Sequence, residues 1–170
     1  MFVKVTIIGD THVKSINEIP NEMIKEIKKS DWVIHVGDYT FVDVLHGLIE
    51  LKGNYFRGVY GNADPKPIWD KVPLKEVIEI KGKRIGITHP ASGGSHENIQ
   101  TKVIAEFKND NVDIIIFGHT HKPSIHYKEN LIIINPGKGY LEKAYYGPST
   151  TIAILEIDDD IRASIKEIRA

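Results

Sequence analysis

Three strand-like runs near the start of the chain constrain its fold more than anything else. They are "FVKVTIIG" (2–9), "DWVIHVG" (31–37) and "NYFRGVYG" (54–61). In the first, Val3, Val5 and Ile7 share one face at a period of two. Between the runs lie amphipathic stretches. "IPNEMIKEIKKS" (19–30) reads as a helix with Pro20 in its first turn and Met23, Ile24 and Ile27 on one stripe. "TFVDVLHGLIELKG" (40–53) reads as a second helix, with Gly53 as its stop. Strand–helix–strand units with short connections imply parallel strands with helices packed on the sheet.

The second half has a different rhythm. "LKEVIEIKGKRIGIT" (74–88) predicts two strands around a turn at Lys81-Gly82-Lys83. A helix over 97–110 and a strand over 112–118 follow. Two further hairpins are predicted over 124–135, turning near Glu129-Asn130, and over 149–168, turning near Asp158–Asp160. The expectation is a mixed α/β domain with two sheets face to face. No linker, low-complexity segment or internal repeat divides it, so residues 1–170 read as one domain.

Composition removes several chemistries. The chain has no cysteine, which leaves only His, Asp, Glu or Asn to hold a metal. The formal charge of −1 argues against a protein that coats polyanions. The opening "MFVKVTIIGD" is too short and wrongly flanked for a signal peptide, and no run approaches a membrane span. A soluble cytoplasmic protein with no membrane contact is the expectation.

The strand ends carry the chemistry. The first run closes in "GDTH" with Asp10 and His12, the second in "GDY" with Asp38, and the third in "GNAD" with Asn62 and Asp64. The hairpin strand closes in "THP" with His89, and the strand over 112–118 in "GHTH" with His119 and His121. Carboxyl ends of parallel strands gather on one edge, where open α/β sheets bind ligands. The alternate spacing of Asp10 and His12, and of His119 and His121, suggests extended segments that point both side chains the same way. Seven ligand-type residues exceed the needs of one divalent ion. Two ions sharing a carboxylate would use them, and mixed oxygen and nitrogen donors suit Mn²⁺, Fe, Zn²⁺, Co²⁺ or Ni²⁺.

"GDTH", "GDYT", "GNAD", "THP" and "GHTH", in this order, resemble the motifs of the calcineurin-like metallophosphoesterases. "NPGK" (135–138) is similar to the "NPGS" of the compact bacterial and archaeal phosphodiesterase branch. The resemblance spans roughly residues 5 to 140. It implies a four-layer αββα sandwich of two mixed β-sheets flanked by helices. It also implies a phosphodiesterase with two divalent ions, manganese favoured, in which a hydroxide between the metals attacks phosphorus in line. Asp10, His12 and His121 match ligands of one metal, and Asn62, His89 and His119 match ligands of the other. Asp38 matches the bridging carboxylate, and Asp38, Asn62 and His119 are expected at the reaction centre. The implied partner is a small phosphodiester, with nucleic acid only as a substrate. The alternative is a scaffold or interaction module, because a retromer subunit with an eroded metal site resembles the same fold.

Three residues depart from the family pattern. Ala63 stands where many members carry the histidine thought to protonate the leaving group. Pro90 and "ASGGSH" follow His89, and His96 is a candidate replacement for a missing histidine. Lys138 replaces a serine and is expected either to hold a phosphate oxygen or to face solvent. Elsewhere Asp64 reads as a structural partner, His35 as a satisfied core histidine, and His46, His126 and Lys14 as surface residues. Tyr39 is expected at the site edge, and Tyr145 and Tyr146 lean towards a homo-oligomer contact.

Overall fold

The structure is a computed structural model that describes residues 1–90, 96–141 and 149–169. Tyr145, Tyr146 and the "ASGGS" stretch lie outside the described residues. The strands are β1 (Val3–Ile8), β2 (Trp32–His35), β3 (Phe56–Gly58), β4 (Lys75–Ile80), β5 (Lys83–Thr88), β6 (Ile114–Phe117), β7 (Ser124–Lys128), β8 (Leu131–Asn135), β9 (Thr151–Ile157) and β10 (Ile161–Glu167). The α-helices are α1 (Asn21–Lys29), α2 (Val42–Lys52), α3 (Lys66–Trp69) and α4 (Ile99–Glu106). One five-stranded sheet runs β10-β9-β1-β2-β3 and the other β4-β5-β6-β8-β7. β1, β2 and β3 are parallel, as are β5, β6 and β8, while β9, β10, β4 and β7 pair antiparallel.

The period-two alternation explains the layers. Val5 and Ile7 of β1, Ile34 of β2, Ile114 and Ile116 of β6, and Ile132 and Ile134 of β8 meet between the sheets. Their sequence neighbours face outward. Ile8 and Val33 pack against Met23 and Ile27 of α1 and Val44, Leu45 and Leu48 of α2. Ile115, Phe117 and Ile133 pack against Val103 of α4 and Phe107 beyond it. Both faces of the central strands are therefore buried, which is why they read as unbroken apolar runs. The result is helix, sheet, sheet, helix, as expected.

Local signals explain the boundaries. Gly53 ends α2 at φ 54, ψ −125, a conformation that disfavours side chains. Lys81 and Gly82 both take positive φ, 50° and 76°, the signature of a tight two-residue hairpin turn. The helix expected over 97–110 is shorter, because Asn109, Asp110 and Asn111 are poor helix formers and α4 stops at Glu106. The strand expected over 54–61 pairs only over Phe56–Gly58, because Gly53–Tyr55 forms a 3₁₀ turn first. Among the described residues, no helix is long and apolar enough to cross a membrane.

Candidate metal centre

The carboxyl ends of β1, β2, β3, β5 and β6 open onto one edge, and all seven predicted ligand-type residues come from the segments that follow them. Asp10 is fully buried, and Asp38 and His89 nearly so. Asp10 Oδ1 lies 3.4 Å from His121 Nε2, 3.9 Å from His12 Nε2 and 4.0 Å from His89 Nε2. Asp38 Oδ2 lies 3.5 Å from His12 Nε2 and 3.4 Å from His89 Nε2. Asn62 Oδ1 stands 3.0 Å from His89 Nε2 and 3.2 Å from His119 Nδ1. Among the described residues, two overlapping groups thus have metal-ligand spacing, Asp10–His12–His121 and Asp10–Asp38–His89.

The means of convergence differs from the expectation. Asp10, His12, His119 and His121 do not alternate along extended backbone. They take φ values of 48°, 45°, 86° and 62°, and Asp38 joins them at 62°. Each left-handed residue costs about 1 kcal/mol or more, and Asp and His are among the side chains that tolerate it best. Extended loops would send the chain straight out from the sheet. The left-handed turns fold each loop back over the strand ends and aim its side chains inward. Gly37 and Gly61 make room for this. A Cβ at Gly37 (φ +101) would meet His89 Nδ1 at 2.8 Å, and one at Gly61 would meet Asp38 Oδ1 at 2.1 Å.

Hydrogen bonds around the cluster fix which atoms face its centre. His89 Nδ1 donates to the Val36 carbonyl at 2.8 Å, so Nε2 turns its lone pair inward. Asp10 Oδ2 accepts the His119 N–H at 3.1 Å, and Asp38 Oδ1 accepts the Ala63 N–H at 2.8 Å. The remaining oxygens, Asp10 Oδ1 and Asp38 Oδ2, point at imidazole nitrogens. Asp10 Oδ1 and His12 Nε2 are buried with no hydrogen-bond partner among the described residues. Lone pairs converging on a buried point require a cation or protons between them. The donor set of carboxylate, amide oxygen and imidazole fits divalent metals of the Mn-to-Zn series.

The electrostatics agree. Burial alone would raise Asp10, yet the His12 and His121 imidazoles beside its carboxylate, with the charge of His89, hold it well below the usual carboxylate range. Burial likewise opposes ionisation of Asp38, but His89 and the Ala63 N–H pull it down. Burial lowers His89, but the Asp38 and Asp10 carboxylates outweigh it and raise the ring above its ordinary value. His121 is raised chiefly by the Asp10 carboxylate, whose Oδ1 lies 3.4 Å from its Nε2. His119 is lowered by burial and by its neighbours His89 and His96.

Other expected residues fall into place. Asp64 is buried and accepts the N–H groups of Asp38 (2.9 Å), Thr40 (2.7 Å) and Gly61 (2.8 Å), tying the loops after β2 and β3 together. His35 is a satisfied core histidine: Gly37 N–H donates to its Nδ1 and its Nε2 donates to Thr11 Oγ1, both at 3.0 Å. Burial lowers it to about 3. Tyr39 is not at the site edge. It is fully buried and stacks on the His35 ring at 3.7 Å, because the left-handed turn at Asp38 sends the next side chain back into the core. His46, His126 and Lys14 are exposed. His96 stands beside the cluster, its ring 5.2 Å from that of His119. Lys138 does not face solvent; it is buried, with its ammonium 5.0 Å from the Tyr140 ring. Tyr140, which the sequence did not single out, packs edge-on against His12 and His121 at 5.6 and 5.9 Å. Only its closeness to "NPGK" could have pointed to it.

These features define a two-sheet α/β sandwich with a candidate metal-ligand cluster at one edge. The chain belongs to the calcineurin-like phosphoesterase superfamily domain family, whose model matches residues 3–160. It is 29% identical, over 94% of its length and 78% of the relative's, to a protein of Methanocaldococcus jannaschii named as a probable metallophosphoesterase. It is also 29% identical to a phosphodiesterase of the same organism, over 82% of this chain and 87% of that one. Among solved structures, Vps29 of Entamoeba histolytica complexed with zinc superposes with a TM-score of 0.71 at 22% identity, covering 97% of this chain and 99% of the other. The family binds divalent metals, and this chain is a phosphoesterase of that family with a candidate ligand cluster.

Proposed function

We propose that the chain is a phosphodiesterase that works with two divalent metal ions, manganese favoured, on small phosphodiesters. The observation that carries this reading is the convergence of Asp10 Oδ1, Asp38 Oδ2, Asn62 Oδ1 and the Nε2 atoms of His12, His89 and His121 on one region, where Asp10 Oδ1 and His12 Nε2 are buried and have no hydrogen-bond partner among the described residues. Asp10, His12 and His121 would hold one ion, and Asn62, His89 and His119 the other. Asp38 would touch both, since its Oδ2 lies between His12 and His89. When bound, such ions supply Lewis acidity toward phosphoryl oxygens and lower the pKa of water.

The chain's own residues do the rest. The Val36 carbonyl holds His89 in the tautomer that presents Nε2. The Ala63 and His119 N–H groups each occupy one carboxylate oxygen and so orient the other. Asn62 contributes a neutral oxygen, which limits the negative charge facing an anionic diester. The phosphodiesterase name of a 29% identical relative supports the substrate class. The retention of all seven ligand-type residues weighs against a purely structural scaffold.

The test is metal analysis of the purified chain, together with hydrolysis of bis(4-nitrophenyl) phosphate after chelation and again with Mn²⁺ restored. About two ions per chain and Mn²⁺-dependent turnover are expected. A chain that binds no metal and stays inert with Mn²⁺ would refute the reading in favour of a scaffold.

A further inference from the structure

A cavity of about 500 Å³ opens beside the cluster and shares Asn62 and His89 with it. That volume lies within the roughly 300–1,000 Å³ typical of small-molecule sites. Because the lining is shared, a molecule whose phosphate meets the cluster can place one ester substituent in the cavity. The outer wall is aromatic and aliphatic. Tyr60 and Trp69 present rings 5.5 Å apart and inclined at 31°, and Leu74 stands next to them. Trp69 and Leu74 are 49% and 57% exposed, so their apolar surface borders the cleft directly. The Tyr60 N–H donates to the Pro73 carbonyl at 3.0 Å, which fixes this wall to the lead-in of β4.

The Thr88 hydroxyl and the Lys75 ammonium of the cavity are engaged by neighbouring groups. Thr88 Oγ1 donates to Glu106 Oε2 at 2.5 Å. The Lys75 ammonium donates to the Glu106 carbonyl and to Asp110 Oδ2, and sits 4.5 Å from the Phe107 ring centre. A second phosphate would therefore face the Glu106 carboxylate and find no available lysine. A neutral flat ring would instead gain a stacking surface.

We propose that this cavity is the subsite for an aromatic base on the substrate's ester, which makes nucleotide phosphodiesters the substrate class. The proposal rests on the phosphodiesterase reading for its catalytic meaning, but the binding it requires is measured without turnover. Trp32→Phe leaves Trp69 as the sole tryptophan of the two in the chain. In that protein, with Zn²⁺ present, adenosine 5′-monophosphate should quench Trp69 fluorescence saturably.

Calorimetry should show this nucleotide binding about tenfold or more tighter than ribose 5-phosphate or hexyl phosphate, the increment of one stacked base. Trp69→Ala should bring it down to the level of ribose 5-phosphate, and Trp69→Phe should keep most of the difference. Leu74→Glu, at an exposed position, should weaken the nucleotide selectively. Equal affinities in the native chain, an unquenched Trp69, or a nucleotide preference that survives Trp69→Ala would overturn the subsite. Hexyl phosphate binding as tightly as the nucleotide would reduce the cavity to a general apolar slot and overturn it too. The two readings fail separately. Hydrolysis of bis(4-nitrophenyl) phosphate without any base-dependent binding overturns the subsite alone. Nucleotide binding through Trp69 in a chain inert with every divalent metal supports the subsite and overturns the phosphodiesterase.

Discussion

Asp64→Asn is expected to weaken both the fold and metal binding, although Asp64 is not one of the seven ligand-type residues. Its Oδ2 accepts two N–H groups, from Asp38 and Gly61, and its Oδ1 accepts a third from Thr40. Asparagine has nearly the same shape but only one acceptor oxygen. With that oxygen in the Oδ2 position, the Thr40 bond is lost and the new amide N–H₂ faces the Thr40 N–H. A hydrogen bond to a charged group contributes about 1.5–3 kcal/mol, and the two retained bonds fall to neutral strength. The loss of stability should therefore be about 3 kcal/mol. The same bonds hold Asp38 in its left-handed turn, so metal affinity should fall about 10- to 100-fold, as it does when a ligand loses its supporting partner. Urea unfolding gives the first number, and calorimetric Mn²⁺ titration of the folded variant gives the second. A stability change below about 0.5 kcal/mol with unaltered metal affinity would mean that these three N–H groups find other acceptors, and that Asp64 does not position the site.

Three further outcomes are expected. Asp38→Ala should remove activity and both ions, whereas Asp10→Ala should chiefly empty the position between His12 and His121; if Asp38→Ala keeps both metals and most of its activity, Asp38 is not the bridge. With Ala63 in place of a histidine, turnover should depend steeply on the leaving group, since a missing general acid costs about 10²–10⁴-fold where protonation is needed. A flat dependence across nitrophenyl and alkyl diesters would reveal another acid, and His96→Ala would then be the variant to compare. Glu26 is held below its ordinary pKa chiefly by Lys166, against the effect of burial and with help from Lys4, at 2.7 and 3.0 Å. Its folded pKa is depressed, so its contribution is present above the ordinary value of 4.5 and is lost as pH falls through the lower folded value. Urea midpoints at pH 7 and pH 3 should therefore differ more for the native chain than for Glu26→Gln; equal differences would count against the pairing.

The sequence by itself determined the two-sheet layering, most of the strands and helices though not α3, and which ligand-type residues stand at strand ends. Alternation at a period of two in β1 and the unbroken apolar runs of β6 and β8 mark strands buried on one or both faces, and those signals are local. The polar endings of these strands, preceded by glycine in all but the one that ends at His89, are local too, so Asp10, Asp38, Asn62, His89 and His119 were readable as residues at strand ends. Tertiary structure alone decided how their side chains meet. The left-handed turns at Asp10, His12, Asp38, His119 and His121 are costly in isolation, and they persist because loops from different strands brace one another. The His119 N–H reaches Asp10, and Asp64 joins three N–H groups from two loops. The same turn at Asp38 buried Tyr39, which sequence placed at the site edge. The aromatic cavity was equally hidden, because Tyr60, Trp69, Leu74 and Glu106 come from four separate segments. Each side chain is ordinary in its own stretch, and only the packing of α3 and α4 around the ends of β4 and β5 makes them one surface.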